Sequence, residues 1–465
     1  MIVSKNAAQK ALDKALSTGG DFAEIFAEDS FRTVISMMSG RIEEAVSGRD
    51  HGAGIRVFKG FNYVYVYTND TSEAGLAEAA AQAAAAIGNA APLGVDIVFR
   101  DKNIKNMHPI LIAPKGVGIA RKAGVVKTAY NAAASYDSLI KQVSVSYMDS
   151  TRDIQILNSE GLCAEDSRTH TRLSINAVAS DGKENQTGFA GPGRQKGFEV
   201  FEEIDPEWYG RDAARCAVTM LKADLCPSGR MMVAIENGFG GVIFHEACGH
   251  SLEATAVAKG QSVFAGKLGQ KIASDVVTAI DDATIPNGWG SGNIDDEGND
   301  TRRNVLIENG VLKSYLIDQL NGRRMGMAAT GSARRQSYAY APTSRMSNTY
   351  IAAGSSSDEE IIRSMDSGIY CAQMGGGSVN PVTGDFNFAV REGYLVRNGR
   401  IDKPVRGATL IGKGSEILFN IDMVGGCMKT GQGMCGSLSG SIPADVGQPL
   451  IRVSQITVGG REGGR

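Results

Sequence analysis

Cys226-Pro227-Ser228-Gly229 divides the chain into two stretches with different patterning. Proline, serine and glycine side by side make a turn cluster. It separates the helical run Trp208–Leu221 from the strand-like run Met231–Ile235. On the N-terminal side, helical and strand patterns alternate. Ala7–Leu16 has helical spacing and stops at Gly19-Gly20. Strand-like runs follow at Phe22–Ala27, Arg32–Met38, Gly54–Phe58 and Tyr63–Tyr67. The alanine-rich stretch Glu78–Ile87 is a helix by propensity, and Gly118–Ser135 is a second long candidate. Alternation returns at Val143–Tyr147, Ile154–Leu157 and Leu173–Ala179. This half reads as a sheet with helices on it, largely antiparallel.

On the C-terminal side, long helices give way to short β-like runs and frequent glycine. Examples are Asn304–Ile307, Ser314–Ile317, Thr349–Ala353, Phe386–Val390 and Leu450–Val453. The fold class expected is therefore α+β, in two domains. Residues 1–226 form an α/β sheet-and-helix domain, and residues 227–465 a β-rich, glycine-rich one. A length of 465 residues supports the division, because single cores stop growing at about 250–300 residues. The 58 glycines follow no collagen-like period and suit tight turns between short strands.

Charge and composition remove several classes of function. A net charge of -3 with only isolated basic pairs argues against a nucleic-acid binder. No apolar stretch approaches the ~20 residues of a membrane span, and Met1–Gly20 lacks the apolar centre of a signal peptide. Seven cysteines without framework spacing read as reduced thiols, which places the expected compartment in the cytoplasm. Neither the glycine clusters nor Asp295-Asp296-Glu297-Gly298 has nucleotide-binding or calcium-loop spacing. The acidic tetrapeptide reads as a turn or hairpin.

Chemistry concentrates just beyond the boundary, in Gly241-Val-Ile-Phe-His245-Glu246-Ala-Cys-Gly-His250-Ser-Leu-Glu253. Two of the chain's five histidines lie here, in a His-Glu-x-x-x-His pattern. Neutral imidazoles are good zinc ligands, and a catalytic zinc keeps three protein ligands and a water. Glu246, next to the first histidine, is placed to take that water's proton. The spacing is one residue longer than His-Glu-x-x-His. Five residues turn about 500°, which leaves the two rings roughly 140° apart on an ideal helix. Both reach one ion only if the helix loosens, for example through a π-turn eased by Gly249. Val242, Ile243, Phe244, Ala247 and Leu252 make the segment buried. Glu253 is a candidate to orient one of the ligands. The opposing reading is two core histidines satisfied by backbone partners. Composition does not choose a third ligand among the remaining histidines, the acids and the cysteines.

These residues resemble the TldD/PmbA family of metallopeptidases, in its TldD-like branch that keeps the motif. The resemblance extends through Ile294-Asp-Asp-Glu-Gly298, Asn304-Val-Leu-Ile-Glu-Asn-Gly310, Gly331-Ser-Ala-Arg-Arg-Gln-Ser-Tyr338 and Arg345-Met-Ser-Asn-Thr-Tyr350. It continues through Cys435-Gly436, Pro443 and Gly447-Gln448-Pro449. It implies a Zn2+-dependent peptidase acting on unfolded or flexible peptides, with residues 227–465 as the catalytic domain. It also implies a third ligand, a cysteine preceding the Gly-Gln-Pro tail. The register selects Cys435, since Cys427 lies eight residues too early. The family's Lys-x-Gly-Gln continuation follows Cys427 here, at Lys429–Gln432, rather than Cys435. By the same resemblance the chain works as a homodimer or as a heterodimer with a PmbA-like subunit. Substrate is expected to lie extended against a strand edge, with Arg345, Asn348 and Tyr350 as candidate channel-wall contacts. The rival class is a non-catalytic regulatory or binding subunit with a structural zinc. Structural sites commonly close with four ligands, whereas two histidines, one thiolate and an adjacent glutamate leave room for water, and an inhibitor-sensitive hydrolytic activity would separate the two.

Overall fold

The computed structural model describes residues 1–460 apart from positions 89, 92, 93, 95, 381 and 382. The chain is an α+β protein. Its first sheet runs Asn62–Thr68, Arg41–Lys59, Phe22–Met38, Ile140–Asn158, Leu162–Ser180, with short strands added to the last of these. The long neighbours are all antiparallel.

Several expected strands fuse into longer ones, and the reason is visible in the polar residues between them. Phe22–Ala27 and Arg32–Met38 are one strand, Phe22–Met38. Glu28, in the gap between the two expected runs, is buried and accepts two hydrogen bonds from Arg152 at 3.0 Å. Likewise Val143–Tyr147 and Ile154–Leu157 join as Ile140–Asn158, where buried Asp149 pairs with Lys122. A paired charge inside a strand keeps the ladder intact where an unpaired one would end it.

All the main helices of this half cover one face. Lys5–Leu16 and Glu73–Ile87 pack over Ala23, Ile25, Ala27, Ala53, Ile55 and Val57. Ile119–Ala134 and Pro206–Leu221 pack over Ile35, Met37, Val143, Val145 and Leu173. Residues 23, 25, 27, 35 and 37 share parity on their strand, so both helix pairs lie on the same side. Phe26, Ile154, Ile156 and Ala164 line the opposite side and meet Ile294 and Tyr338 of the C-terminal half.

After the helix Pro206–Leu221 the chain joins a second sheet, where Asp224–Leu225 pairs with Arg400–Arg406. That eight-stranded sheet includes Gly229–Ile235, Ile451–Gly459, Ser367–Val379 and Asp385–Arg397. A third sheet of six strands runs Val311–Leu312, Arg303–Glu308, Ala279–Asp282, Asn348–Ile351, Gly440–Gln448, Lys429–Ser437. Ser314–Ile317, expected as a strand, makes only a single bridge, Glu253 to Leu316. Between the two C-terminal sheets lies one continuous apolar core, and the short helix Val242–Ala247 sits inside it.

Asp295-Asp296-Glu297-Gly298 is a turn closed by a bridge between Ile294 and Asp300, but it is not solvated. Its three acids are buried. They join an ionic network that ties the two halves together. Arg56 of the first sheet reaches Glu24 at 3.0 Å and Glu297 at 2.8 Å. Arg335 reaches Glu24 at 2.8 Å, and Arg168 reaches Asp296 at 2.6 Å. No helix among the described residues is long and apolar enough to cross a membrane.

Candidate metal centre

His245 and Glu246 lie on the helix Val242–Ala247, and His250 on the 3-10 turn Gly249–Leu252. The five-residue spacing is accommodated by a break rather than by the expected π-turn. The helix ends at Ala247, and Cys248 leaves helical geometry at φ -129° and ψ -46°. The tighter turn that follows swings the second ring back toward the first. Their centroids are 5.1 Å apart, with the ring planes at 83°.

The break is held by close packing. A Cβ on Gly249 would come within 2.2 Å of the Met346 sulfur, so glycine is needed there for approach rather than for flexibility. At the other end, a Cβ on Gly241 would meet the Gly447 backbone at 2.4 Å. The Gly447-Gln448-Pro449 tail therefore seats the start of the histidine helix. Val242, Ile243, Phe244, Ala247 and Leu252 are all buried, as their sequence suggested.

Cys435 arrives from the edge strand Lys429–Ser437. Its sulfur lies 3.2 Å from His245 Nε2 and 3.4 Å from His250 Nε2. The three donor atoms all fall within 4.8 Å of one another. Among the described residues this is the group of histidine, cysteine and acid donors able to hold a metal ion. Cys427 is exposed and outside it, and Cys248, inside the motif, is a packed thiol that burial pushes up. The other histidines have separate partners. His108 Nδ1 accepts from the Asn287 N–H at 3.0 Å, and His170 Nε2 lies 3.1 Å from the Trp289 carbonyl.

The electrostatics of the cluster favour a cation. Burial alone raises the Cys435 thiol, but His245 and His250 outweigh it and carry it down to about 3. The thiolate is the ligating form. Burial alone would depress His250, yet Glu253 and Cys435 hold it well above its ordinary value. The surroundings thus stabilise positive charge at the point where the three donors meet. Glu253 Oε1 is 3.3 Å from His250 Nδ1, on the far side of the ring from Cys435. Glu246 Oε2 is 3.8 Å from His250 Nε2, and its side chain is 24% exposed. It therefore borders the cluster on a side that solvent reaches. Two nitrogens and one thiolate beside a carboxylate are a donor set that fits a borderline-soft ion such as zinc.

Of the three candidate channel-wall residues, two are enclosed. Arg345 is fully buried, and its guanidinium donates to Ser439 Oγ, the Gly440 carbonyl and the Cys435 carbonyl. Its Nε stands 3.9 Å from Glu253 Oε1. Arg345 thus lies behind the cluster and connects the segments that carry Cys435 and His250. Asn348 is also fully buried, bonded to the Gly290 N–H, the Asp282 carbonyl and Ser291. Only Tyr350 keeps exposed surface. The strand of Asn348 and Tyr350, Asn348–Ile351, is paired on both sides and has no edge to offer. Of the two strands that end this sheet, Lys429–Ser437 is the one that carries Cys435. Beside residues 429–434 runs a groove of about 580 Å³ lined in part by Trp208, Phe239, Met374 and Arg391.

Sequence reasoning missed this edge and the Arg345 tether. Both follow from pairings distant in the chain, although Arg345-Met346 stood within a recognised segment.

Profiles of the PmbA/TldA metallopeptidase family match three stretches of the chain. Domain 1 matches residues 23–87, the central domain residues 112–221 and the C-terminal domain residues 228–460. A metalloprotease TldD homolog of Buchnera aphidicola is 33% identical over 462 residues, covering 97% of this chain and 95% of that one. A metalloprotease of Methanothermobacter thermautotrophicus is 37% identical over 442 residues, covering 95% and 96%. TldE of Thermococcus kodakarensis shares the fold, with a TM-score of 0.79 at 20% identity over 97% of this chain and 99% of that one.

Proposed function

The chain belongs to the PmbA/TldD family of metallopeptidases, and from that premise we propose that it is a zinc peptidase acting on unfolded or flexible peptides. The observation that carries this reading is the convergence of His245, His250 and Cys435, with Glu246 on the solvent-reached side. These three residues would hold the ion. Zinc bound there supplies a Lewis acid that polarises the scissile carbonyl and lowers the pKa of water toward about 7. Glu246 acts as general base at its carboxylate, accepting a proton from the attacking water and returning it to the leaving amine nitrogen. Glu253 fixes the His250 ring through Nδ1, and Arg345 fixes the backbone that carries Cys435.

Substrate would lie as an added strand along Lys429–Ser437. Backbone pairing makes such recognition tolerant of sequence and excludes folded domains, which cannot present an edge. The Gln432 and Gly433 carbonyls already accept from Arg172 at 3.0 Å and Trp289 Nε1 at 2.8 Å. The Cys435 carbonyl is likewise taken by Arg345, so an added peptide would pair with the remaining backbone groups of this strand. The working unit is two chains, this one with itself or with a PmbA-like subunit, in the cytoplasm. Three protein donors rather than four favour hydrolysis over the structural-zinc reading.

Metal analysis tests the centre. One zinc per chain is expected, reduced to a small fraction in Cys435→Ser and retained in Cys427→Ser. The reverse pattern would overturn the ligand set.

A further inference from the structure

The groove beside residues 429–434 holds more positive charge than its own chain neutralises. Arg172, Arg391 and Lys429 line it, together with the acids Asp212 and Glu236. Neither acid answers these cations. Asp212 is already paired with Arg215 Nε at 3.0 Å. Glu236 accepts the Met374 N–H at 2.5 Å, and burial pushes its carboxyl up to about 8, so it is mostly neutral at pH 7.

Arg391 is the most isolated of the three. Its guanidinium lies over the Phe189 ring, 4.5 Å from the centroid. It forms no hydrogen bond or ion pair among the described residues. Burial works against its charge, and the groups that favour that charge are Cys216 and Glu236. Burial also pushes the Cys216 thiol up, to about 12, so neither neighbour supplies a full counter-charge at pH 7. A stacked guanidinium keeps the N–H donors around its edge free. A half-buried cation with free donors and no counter-ion marks a place where an anion would be gained.

Arg172 is held close to it. One Nη2 proton goes to the Gln432 carbonyl at 3.0 Å, and its Nε is buried with no partner. A Cβ on Gly191 would meet the Phe189 ring at 2.6 Å and Arg172 Nη2 at 3.0 Å. Glycine there lets the ring beneath Arg391 and the Arg172 guanidinium close on one point. Trp208, Phe239 and Met374 add apolar wall. An apolar hollow with a few convergent polar groups is the usual form of a specific binding site.

We propose that this groove is a subsite for an acidic side chain, Asp or Glu, of the peptide received along Lys429–Ser437. Arg391 and Arg172 take the carboxylate, and exposed Lys429 adds charge beside them. The groove follows residues 429–434, about 17 Å of strand, so a peptide passes along it rather than ending in it. Gln432, which Arg172 holds, lies three residues before Cys435, about 10 Å along an extended strand. The acid is therefore read about three residues from the metal ligand. Backbone pairing tolerates many sequences, and the groove adds one charge preference to it. The inference rests on the proposed peptide-binding edge and deepens it.

Binding tests it apart from turnover. The full chain carrying Glu246→Gln, which stops cleavage, is titrated into labelled, amidated peptides of about ten residues and followed by fluorescence anisotropy. The peptides consist of glycine, serine and phenylalanine and differ only in a single Glu or Gln. The Glu peptide should bind about tenfold more tightly. Adding Arg391→Gln should close that gap. Adding Lys429→Gln, at an exposed position, should narrow it about threefold. Equal affinity for the two peptides, or a gap that survives both substitutions, would overturn the proposal. So would a gain seen only when the Gln peptide carries a free C-terminal carboxylate. Zinc content of the parent protein and its cleavage of the Gln peptide report on the peptidase reading. Cleavage without a Glu preference sinks the groove alone. A Glu preference in a protein that neither holds zinc nor cleaves sinks the peptidase alone.

Discussion

Around His245, His250 and Cys435, three donor atoms crowd toward one point and leave one another incompletely satisfied. Around Arg56 and Arg335, an equally buried set of polar groups does the opposite: each guanidinium meets carboxylates at 2.8–3.0 Å. Both clusters pay a desolvation penalty, yet they differ in what removal of a member does. The ionic network pairs opposite charges within the chain and joins its two halves. The donor cluster is complete only with something added. A buried polar group without a partner costs free energy, so a convergent set of them marks a place for a ligand, while a paired set marks scaffolding.

Glu246→Gln sharpens the contrast most. The side chain keeps its size and loses its ability to accept a proton. Peptide hydrolysis should fall about 10²–10⁴-fold, the usual contribution of a general base, with zinc content and thermal midpoint unchanged. Near-normal turnover in a zinc-loaded Glu246→Gln protein would assign the base elsewhere.

Arg56→Ala should show the reverse profile. It leaves Glu24 and Glu297 buried with one counter-charge fewer, and breaking a buried pair in this way costs about 3–5 kcal/mol. Burial pushes Glu297 up, and Arg56 is the group that opposes that shift most. Denaturant unfolding should record the loss, while zinc per folded chain stays at the parent level. A stable Arg56→Ala protein without zinc would erase the distinction between the two clusters.

The two clusters also differ in how well the sequence announces them. His245, Glu246 and His250 are adjacent in the chain, and their residue types carry the chemistry openly. Cys435, 185 positions beyond His250, emerged only through resemblance, since nothing local distinguishes it from Cys427. The ionic network was invisible. Asp295-Asp296-Glu297 reads only as a turn or hairpin, and the approach of Arg56, Arg168 and Arg335 from distant strands makes its burial tolerable. The same blindness split Phe22–Met38 into two strands at Glu28. Periodicity reports the faces of a sheet but not the counter-charges that let a polar residue stay inside it. It placed the fold class and most helices well, yet it could not show that Arg345 and Asn348 point inward. That depends on strand order, and Asn348–Ile351 is interior only because Gly440–Gln448 returns beside it.

His170 offers the finest test, because it is a buried histidine outside both clusters. Its ring stands edge-on to Trp289 at 5.1 Å, and Nε2 meets a single carbonyl. Burial depresses it to about 3, against about 6.5 for an unburied histidine. The native state therefore prefers the neutral ring. The stability this contributes is fully present above pH 6.5 and declines as pH falls toward 3, because the unfolded chain takes up the proton first. Between pH 6.5 and 5.5 the loss is about 1 kcal/mol. His170→Gln keeps a donor for the Trp289 carbonyl and removes the titration. Its unfolding free energy should be flatter by about that amount over the same interval, measured by urea denaturation, with zinc content unaffected. An unchanged pH slope would mean that His170 is already charged in the native state, compensated by an acid that does not contact it in this conformation. The rule separating a lone satisfied histidine from a ligating pair would then fail at the position where it is simplest to apply.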